Sequence, residues 1–375
     1  MSEAATVDCA QCGHAVPRLE FCVRCGHPLA DEYRTELHAR ERRFAAAPHE
    51  SARGLHVTTT LFPQLPRAEI RTFWLALLAG TVLVAGLGVA GLYPLALVTA
   101  AVLVPLLMVL YLYDVDVYED EPVIVIGATM AWGALAGAAT GLLLAALPRA
   151  GVPIGASGGG LDVAELGLNG VVLPLVEGAL MIAGPLVLLP WRRFNDVLDG
   201  VTFGVAAAVT FGGARLLVQA APLFGAGLAP AGDPLPWVVQ LLSLAVLQPI
   251  IAAGAIGTLA GALWLRYRAP VTDRHRLGLA GNPAVAAIGA AALLVAAGLA
   301  RAGLPPLPQS MALLGLALVA LVGLRREIHL GLLQEAAERD IGGPITCPNC
   351  GRETPAHTFC GSCGIALVAL PRRPR

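Results

Sequence analysis

Eight cysteines fall into two copies of one pattern, Cys9-x2-Cys12-x9-Cys22-x2-Cys25 and Cys347-x2-Cys350-x9-Cys360-x2-Cys363, near the two ends of a 375-residue chain. Each copy offers four thiolates as two close pairs. That count and spacing suit a closed tetrahedral structural metal site with no open position for chemistry. A glycine follows the second cysteine of every pair, at Gly13, Gly26, Gly351 and Gly364, where a knuckle must turn the backbone around the ion. The competing reading is four disulfides in a secreted protein, but no signal-peptide pattern precedes Cys9. The expectation is two structural zinc ions. Each holds a segment too short to bury a sufficient core on its own.

Together the two copies resemble the double-zinc-ribbon group, whose members bind nucleic acid, bind protein or cap a chain. The first copy sets Arg18 and Arg24 against Glu3, Asp8 and Glu20, which argues against nucleic acid and for a protein partner. Only the tail, Pro371-Arg-Arg-Pro-Arg375, is clearly cationic. Such a tail suits anionic lipid.

A second set of residues with chemical potential lies in the apolar middle of the chain: Glu177, Arg215, Gln219 and Gln248. Their setting is a membrane. With 56% hydrophobic residues, 14% charged residues and a mean hydropathy of +0.70, the chain lies outside the range of a soluble enzyme. Its net charge of −1 points to no class of partner. Uncharged apolar runs near the spanning length of ~20 residues occur around 72–91, 94–113, 123–147, 170–190, 200–221, 237–265, 283–300 and 308–324. The fold class expected is therefore an all-α polytopic membrane protein of about eight transmembrane helices with a small four-cysteine zinc ribbon at each end. The sixth run is long enough to be tilted or broken.

Arginine placement orients the chain. Arg34, Arg40, Arg42, Arg43, Arg53, Arg67 and Arg71 precede the first run, Arg192 and Arg193 follow the fourth, and Arg266, Arg268, Arg274 and Arg276 follow the sixth. Arg325 and Arg326 follow the last, while the opposite face has only Arg149 and Arg301. Both termini are expected in the cytoplasm, with the bundle in the cell membrane, and a reducing cytoplasm keeps thiolates available. The acidic connection Asp114 to Glu121 lies on the same side and weighs little in this rule. The domains expected are a ribbon at 1–30, a charged helix and linker at 31–71, and the bundle at 72–325. A connecting helix at 326–342, whose charges including Glu327 form a solvated face, leads to the second ribbon and basic tail at 343–375. Glycine ridges at Gly133, Gly137 and Gly141, at Gly200 and Gly204, and at Gly257 and Gly261 are expected to serve close helix packing.

Asp116-Val-Tyr-Glu-Asp-Glu-Pro122, Pro174-Leu-Val-Glu177 and Asp196-Val-Leu-Asp199-Gly200-Val-Thr-Phe203-Gly204, with Phe211 further on, resemble the PrsW-type intramembrane metalloproteases over roughly residues 72–265. Asp-Gly-x-x-Phe-Gly is the most specific part of the resemblance. The family implies a helical bundle in which a metal-activated water cuts peptide bonds, with motifs Glu-Glu-x-x-Lys, Phe-x3-Glu and a later histidine. This chain departs from each of them. It reads Glu177-Gly178-Ala-Leu-Met181, then Phe211-Gly-Gly-Ala-Arg215, then Gln248-Pro249-Ile-Ile-Ala252. A hydrolytic centre needs about three protein ligands and an open position for water. One carboxylate does not supply them, and an arginine beside it repels a divalent ion.

Helical rise puts Glu177 and Arg215 at similar depth on antiparallel spans, which predicts an intramembrane ion pair. The alternative is a protonated Glu177 bonded elsewhere and an Arg215 that snorkels outward. The leading expectation is a proteolytically inactive PrsW-like protein, a pseudoprotease, whose cytoplasmic ribbons recruit a protein partner or report on zinc or redox state. One rival is an active intramembrane metalloprotease, for which Glu177 and His275 are the residues to test. The other is a transporter or channel with a path along Glu177, Arg215 and Gln248.

Overall fold

In the computed structural model, the described residues are 6–10, 14–29, 60, 71–115, 123–147, 163–191, 193–194, 196–225, 237, 239, 241–268, 281–338, 340–365 and 367. The charged segment expected at 31–45, His275, Cys12, most of the acidic connection and the basic tail lie outside them.

Eight long helices follow one another among these residues: α1 (Arg71–Val89), α2 (Tyr93–Val115), α3 (Val123–Ala146), α4 (Val163–Leu188), α5 (Val197–Ala220), α6 (Ser243–Tyr267), α7 (Pro283–Gly303) and α8 (Pro306–Glu338). Seven of these, α2 to α8, are long and apolar enough to cross a membrane, while α1 contributes the shorter apolar stretch Trp74–Val89. A helix satisfies its own backbone hydrogen bonds, so uninterrupted apolar sequence of this length has no better conformation in lipid. Large apolar side chains such as Leu75, Ile124, Leu135, Val187 and Ile288 remain on the outside of the bundle, as lipid contact requires.

The α5 span is the axis, 78% buried where the other spans are 28% to 61% buried. Glycine makes that possible. On one side an ideal Cβ at Gly133 or Gly137 of α3 would lie 2.3 or 2.2 Å from the carbonyl oxygen of Ala207 or Phe211 in α5. On the other side a Cβ at Gly200 would meet Trp264 at 2.7 Å, and one at Gly204 would meet Ala260 and the Ile256 carbonyl of α6 at 2.9 Å. Both ridges therefore bring backbones together.

The Asp-Gly-x-x-Phe-Gly segment begins this axis. Leu198 N–H donates to Asp196 Oδ1 at 3.1 Å and Asp196 N–H donates to Asp199 Oδ2 at 3.2 Å, satisfying donors that a helix start leaves open. Phe203 meets Phe194 edge-on at 5.4 Å and Trp264 at 6.0 Å between ring centroids. These residues cap and pack.

Two helices widen into π turns, α4 at Leu168–Val172 and α6 at Ser243–Leu247. Pro174 follows the first and Pro249 the second. A proline ring removes one backbone donor and crowds the carbonyl four residues earlier, and a locally wider turn accommodates both effects. The sixth run, expected to be tilted or broken, is widened at the second of these turns and stays one helix from Ser243 to Tyr267.

The last helix, α8, runs unbroken for 33 residues, so the last span and the connecting helix expected from 326 are one element. The solvated face expected there is corrected at Glu327, which is buried together with Arg325 and His329. Gly261 of α6 explains it: an ideal Cβ there would sit 2.7 Å from Glu327 Cγ, so the absent side chain leaves the space the glutamate fills.

Each end of the chain forms a two-stranded antiparallel ladder. β1 (Thr6–Asp8) pairs with β2 (Ala15–Pro17), with Val7 opposite Val16, and β3 (Pro344–Thr346) pairs with β4 (Glu353–Pro355), with Ile345 opposite Thr354.

Candidate metal clusters and an intramembrane polar site

The cysteine clusters rest on turn geometry. In the C-terminal copy, Gly351 and Gly364 donate to the carbonyls of Cys347 and Cys360 at 2.8 Å, and Cys347 and Cys360 donate to the carbonyls of Arg352 and Ile365 at 2.9 Å. In the N-terminal copy, Gly26 donates to Cys22 at 2.8 Å. Gly26, Gly351 and Gly364 take φ of 70°, 70° and 65°, a conformation that glycine adopts without a Cβ penalty. That is the reason for a glycine after the second cysteine of these pairs.

The sulfurs of Cys347, Cys350, Cys360 and Cys363 lie within 4.8 Å of one another, as do those of Cys9, Cys22 and Cys25. Cys9 and Cys25 are 3.7 Å apart, Cys347 and Cys363 3.9 Å, and Cys350 and Cys360 3.9 Å. Four sulfurs bound tetrahedrally at ~2.3 Å from one ion stand ~3.8 Å apart, so both clusters fit a metal. A disulfide needs a contact of ~2.05 Å, and no two of the described cysteines are joined in one. Burial pushes the Cys347 thiol up to about 12. A thiolate there calls for a cation beside it, which an ion bound by the four sulfurs provides.

The two ribbons also dock on each other. Phe21 and Phe359 sit just before the third cysteine of their copies, and Val23 and Gly361 just after it. Phe21 N–H donates to Gly361 O at 2.8 Å, and Phe359 N–H donates to Val23 O at 2.9 Å. Equivalent donors meet equivalent acceptors, so the contact has the reciprocity of a twofold interface within one chain. The Phe359 ring lies on Gly26 and Leu19 lies on Gly361. His357 Nδ1 is 3.0 Å from Val23 O, and Arg352 donates to Glu20 at 3.4 Å across the exposed rim.

The second site is a partly open cavity of about 60 Å³ lined by α4, α5, α6 and α7. It brings together Glu177, Arg215, Gln219 and Gln248, the four polar residues singled out in the spans, and adds Arg301. Arg215 donates through Nη1 to Glu177 Oε2, and the side chains of both are about nine-tenths buried. Arg301 donates through Nη1 to Gln248 Oε1 at 2.9 Å. The π turns precede Glu177 and Gln248 on their helices. Gly298 lets α7 close on the first of them, since a Cβ there would strike Pro174 at 2.5 Å and the Gly170 carbonyl at 2.6 Å. Arg301, one turn further along α7, is thereby carried to the cavity.

Sequence alone reads Arg301 as a connection residue beyond the seventh span, and the structure corrects this. It lies inside α7, which runs to Gly303, and is buried. No proline separates Pro283 from Leu304, and that is the signal by which the longer helix could be found. Among the described residues, three buried polar atoms of these side chains have no hydrogen-bond partner: Glu177 Oε1, Arg215 Nε and Arg301 Nε.

The charged residues lining the cavity are one glutamate and two arginines. Both guanidiniums carry donors only; Arg215 engages the carboxylate and Arg301 engages Gln248. The site has the chemistry to hold buried charge and donate hydrogen bonds; it does not have the donor set of a divalent cation. Compared with family models, curated proteins and solved structures, the chain matches none.

Proposed function

We propose that this chain is a multi-pass protein of the cell membrane, PrsW-like in its bundle and proteolytically inactive, with two zinc-loaded ribbons that act in the cytoplasm as a protein-interaction or sensing module. One observation carries the inactivity: Arg215 engages Glu177, and Arg301 lines the same cavity, where the resemblance would place a metal ligand set. A cation entering there meets two fixed positive charges and one carboxylate already engaged. Zinc is favoured by the clustered sulfurs, four in the C-terminal copy and three among the described residues of the N-terminal one, with four cysteines in each copy of the sequence pattern.

Topology supports eight crossings. Seven helices qualify by length and apolarity, yet the ribbons at the two ends of the chain touch, and an odd number of crossings would separate them by a bilayer. The 19-residue α1, with the shorter apolar stretch Trp74–Val89, supplies the even count. Arginine placement and the need for reduced thiols put the paired ribbons on the cytoplasmic side.

The test is metal content per purified chain, beside a variant with all eight cysteines changed to serine. Two zinc ions falling to none are expected. A metal retained without the cysteines overturns the inactive reading and brings the metalloprotease forward. The partner role is tested by crosslinking in intact cells, where a cytoplasmic product lost on Cys9→Ser or Cys347→Ser is expected.

A further inference from the structure

The intramembrane cavity has an unbalanced charge. Among its described lining residues, Arg215 and Arg301 contribute two positive charges and Glu177 one negative. Glu177 is engaged by Arg215, while the partner of Arg301 is the neutral amide of Gln248. A guanidinium that keeps its charge in a low-dielectric interior needs an opposite charge close by. The groups left over are mostly donors. Both arginine Nε atoms are buried without an acceptor. Gln248 uses its carbonyl oxygen to accept from Arg301, so its amide N–H groups are available, and Gln219 adds another amide to the wall.

We infer that this cavity binds a small monovalent anion through Arg301, Gln248 and Arg215. One negative charge brings the lining to neutrality, where a dianion would overshoot. The volume of about 60 Å³ exceeds the ~10–15 Å³ that one water needs on the same measure, so it admits a halide or a carboxylate as small as formate. The inference rests on charge and geometry alone and survives if the PrsW likeness fails.

Thermal unfolding of the full chain in detergent, exchanged into gluconate and titrated at constant ionic strength with chloride or with formate, tests it. Gluconate is bulkier than the cavity and serves as the reference anion. A saturable rise in the unfolding midpoint is expected, about 5 °C at a hundredfold excess over half-saturation. Response to chloride alone identifies a halide site and response to formate alone a carboxylate site. An equal response identifies a site for either; all three support the inference. Gln248→Glu places a carboxylate beside Arg301 and should abolish the saturable component while raising the midpoint in gluconate. Arg301→Met should abolish it as well. A midpoint in the native chain that does not respond, or a response unchanged in Gln248→Glu, overturns the inference, and the native-chain titration decides even if Arg301→Met does not fold.

Discussion

The ribbons each gather cysteines from one short stretch, the intramembrane cavity gathers polar side chains from four helices, and the two balance charge in opposite ways. The ribbons present cysteine sulfurs converging within 4.8 Å of one another, whose thiolate forms carry one sign only, so a bound cation would be what neutralises them. The cavity carries both signs on its own side chains and binds them to each other. A region of the first kind has no reason to stay folded without its ion. A region of the second kind can be broken only by removing one partner and leaving the other exposed to a low dielectric.

The largest effect that contrast predicts is metal removal. Structural zinc in finger peptides is worth about 10–16 kcal/mol of apparent binding energy, more than a segment of this size recovers from its few buried apolar residues such as Val16, Phe21 and Phe359. Serine at all eight cysteines should unfold both ribbons and leave the bundle intact. Limited proteolysis should remove the two ends quickly and spare the spans. Ribbons that resist protease after the change would mean that the docking contact, and not the ion, holds them.

The cavity comes next. Arg215→Ala removes the donor that engages Glu177 and should cost about 3 kcal/mol in detergent unfolding, the low end for breaking a buried pair because Arg301 still lines the cavity. Arg215→Met combined with Glu177→Gln should cost much less, because neither partner is then left charged. Equal losses from the single and the double change would show that the pair contributes packing and no charge compensation.

A third change tests the scaffold that positions the cavity. Gly137→Ala puts a methyl 2.2 Å from the Phe211 carbonyl of α5, where backbone and not a flexible side chain must yield. A loss of about 1–3 kcal/mol is expected from such overpacking. Gly127→Ala, on the same helix with nothing within 4 Å of the new methyl, is the control and should be neutral or slightly stabilising through helix propensity.

The two regions also differ in how much of them is legible in residues alone. Ribbon ligands are close in sequence, so the pairs, their knuckle glycines and their metal geometry follow from local spacing. Their docking is less legible, because Phe21 and Phe359 carry no mark that they face each other. In the bundle, period and apolarity locate the spans, and glycine ridges announce close packing. Rotation about each helix axis is set by packing alone. That is why sequence matches Glu177 and Arg215 in depth but not in facing, and why it leaves Arg301 in a connection. The expected solvated face at Glu327 fails for a related reason: what buries it is a missing side chain at Gly261, on a helix more than sixty residues earlier.

The smallest effect separates the rim of the ribbon contact from its centre. Arg352 and Glu20 meet at 3.4 Å with side chains 66% and 41% exposed. Solvent screens such a pair, and holding two long side chains in one geometry opposes it, so its worth is about 0–1 kcal/mol. Glu20→Ala should therefore leave zinc content and the midpoint of ribbon unfolding almost unchanged, with the little that is lost vanishing in high salt. Phe359→Ala, which removes a fully buried ring from the same contact, should loosen the ribbons far more. Comparable losses from the two changes would mean that the ribbons are joined at the rim by charge, and that the reciprocal backbone bonds between Phe21, Gly361, Phe359 and Val23 follow from that contact and do not create it.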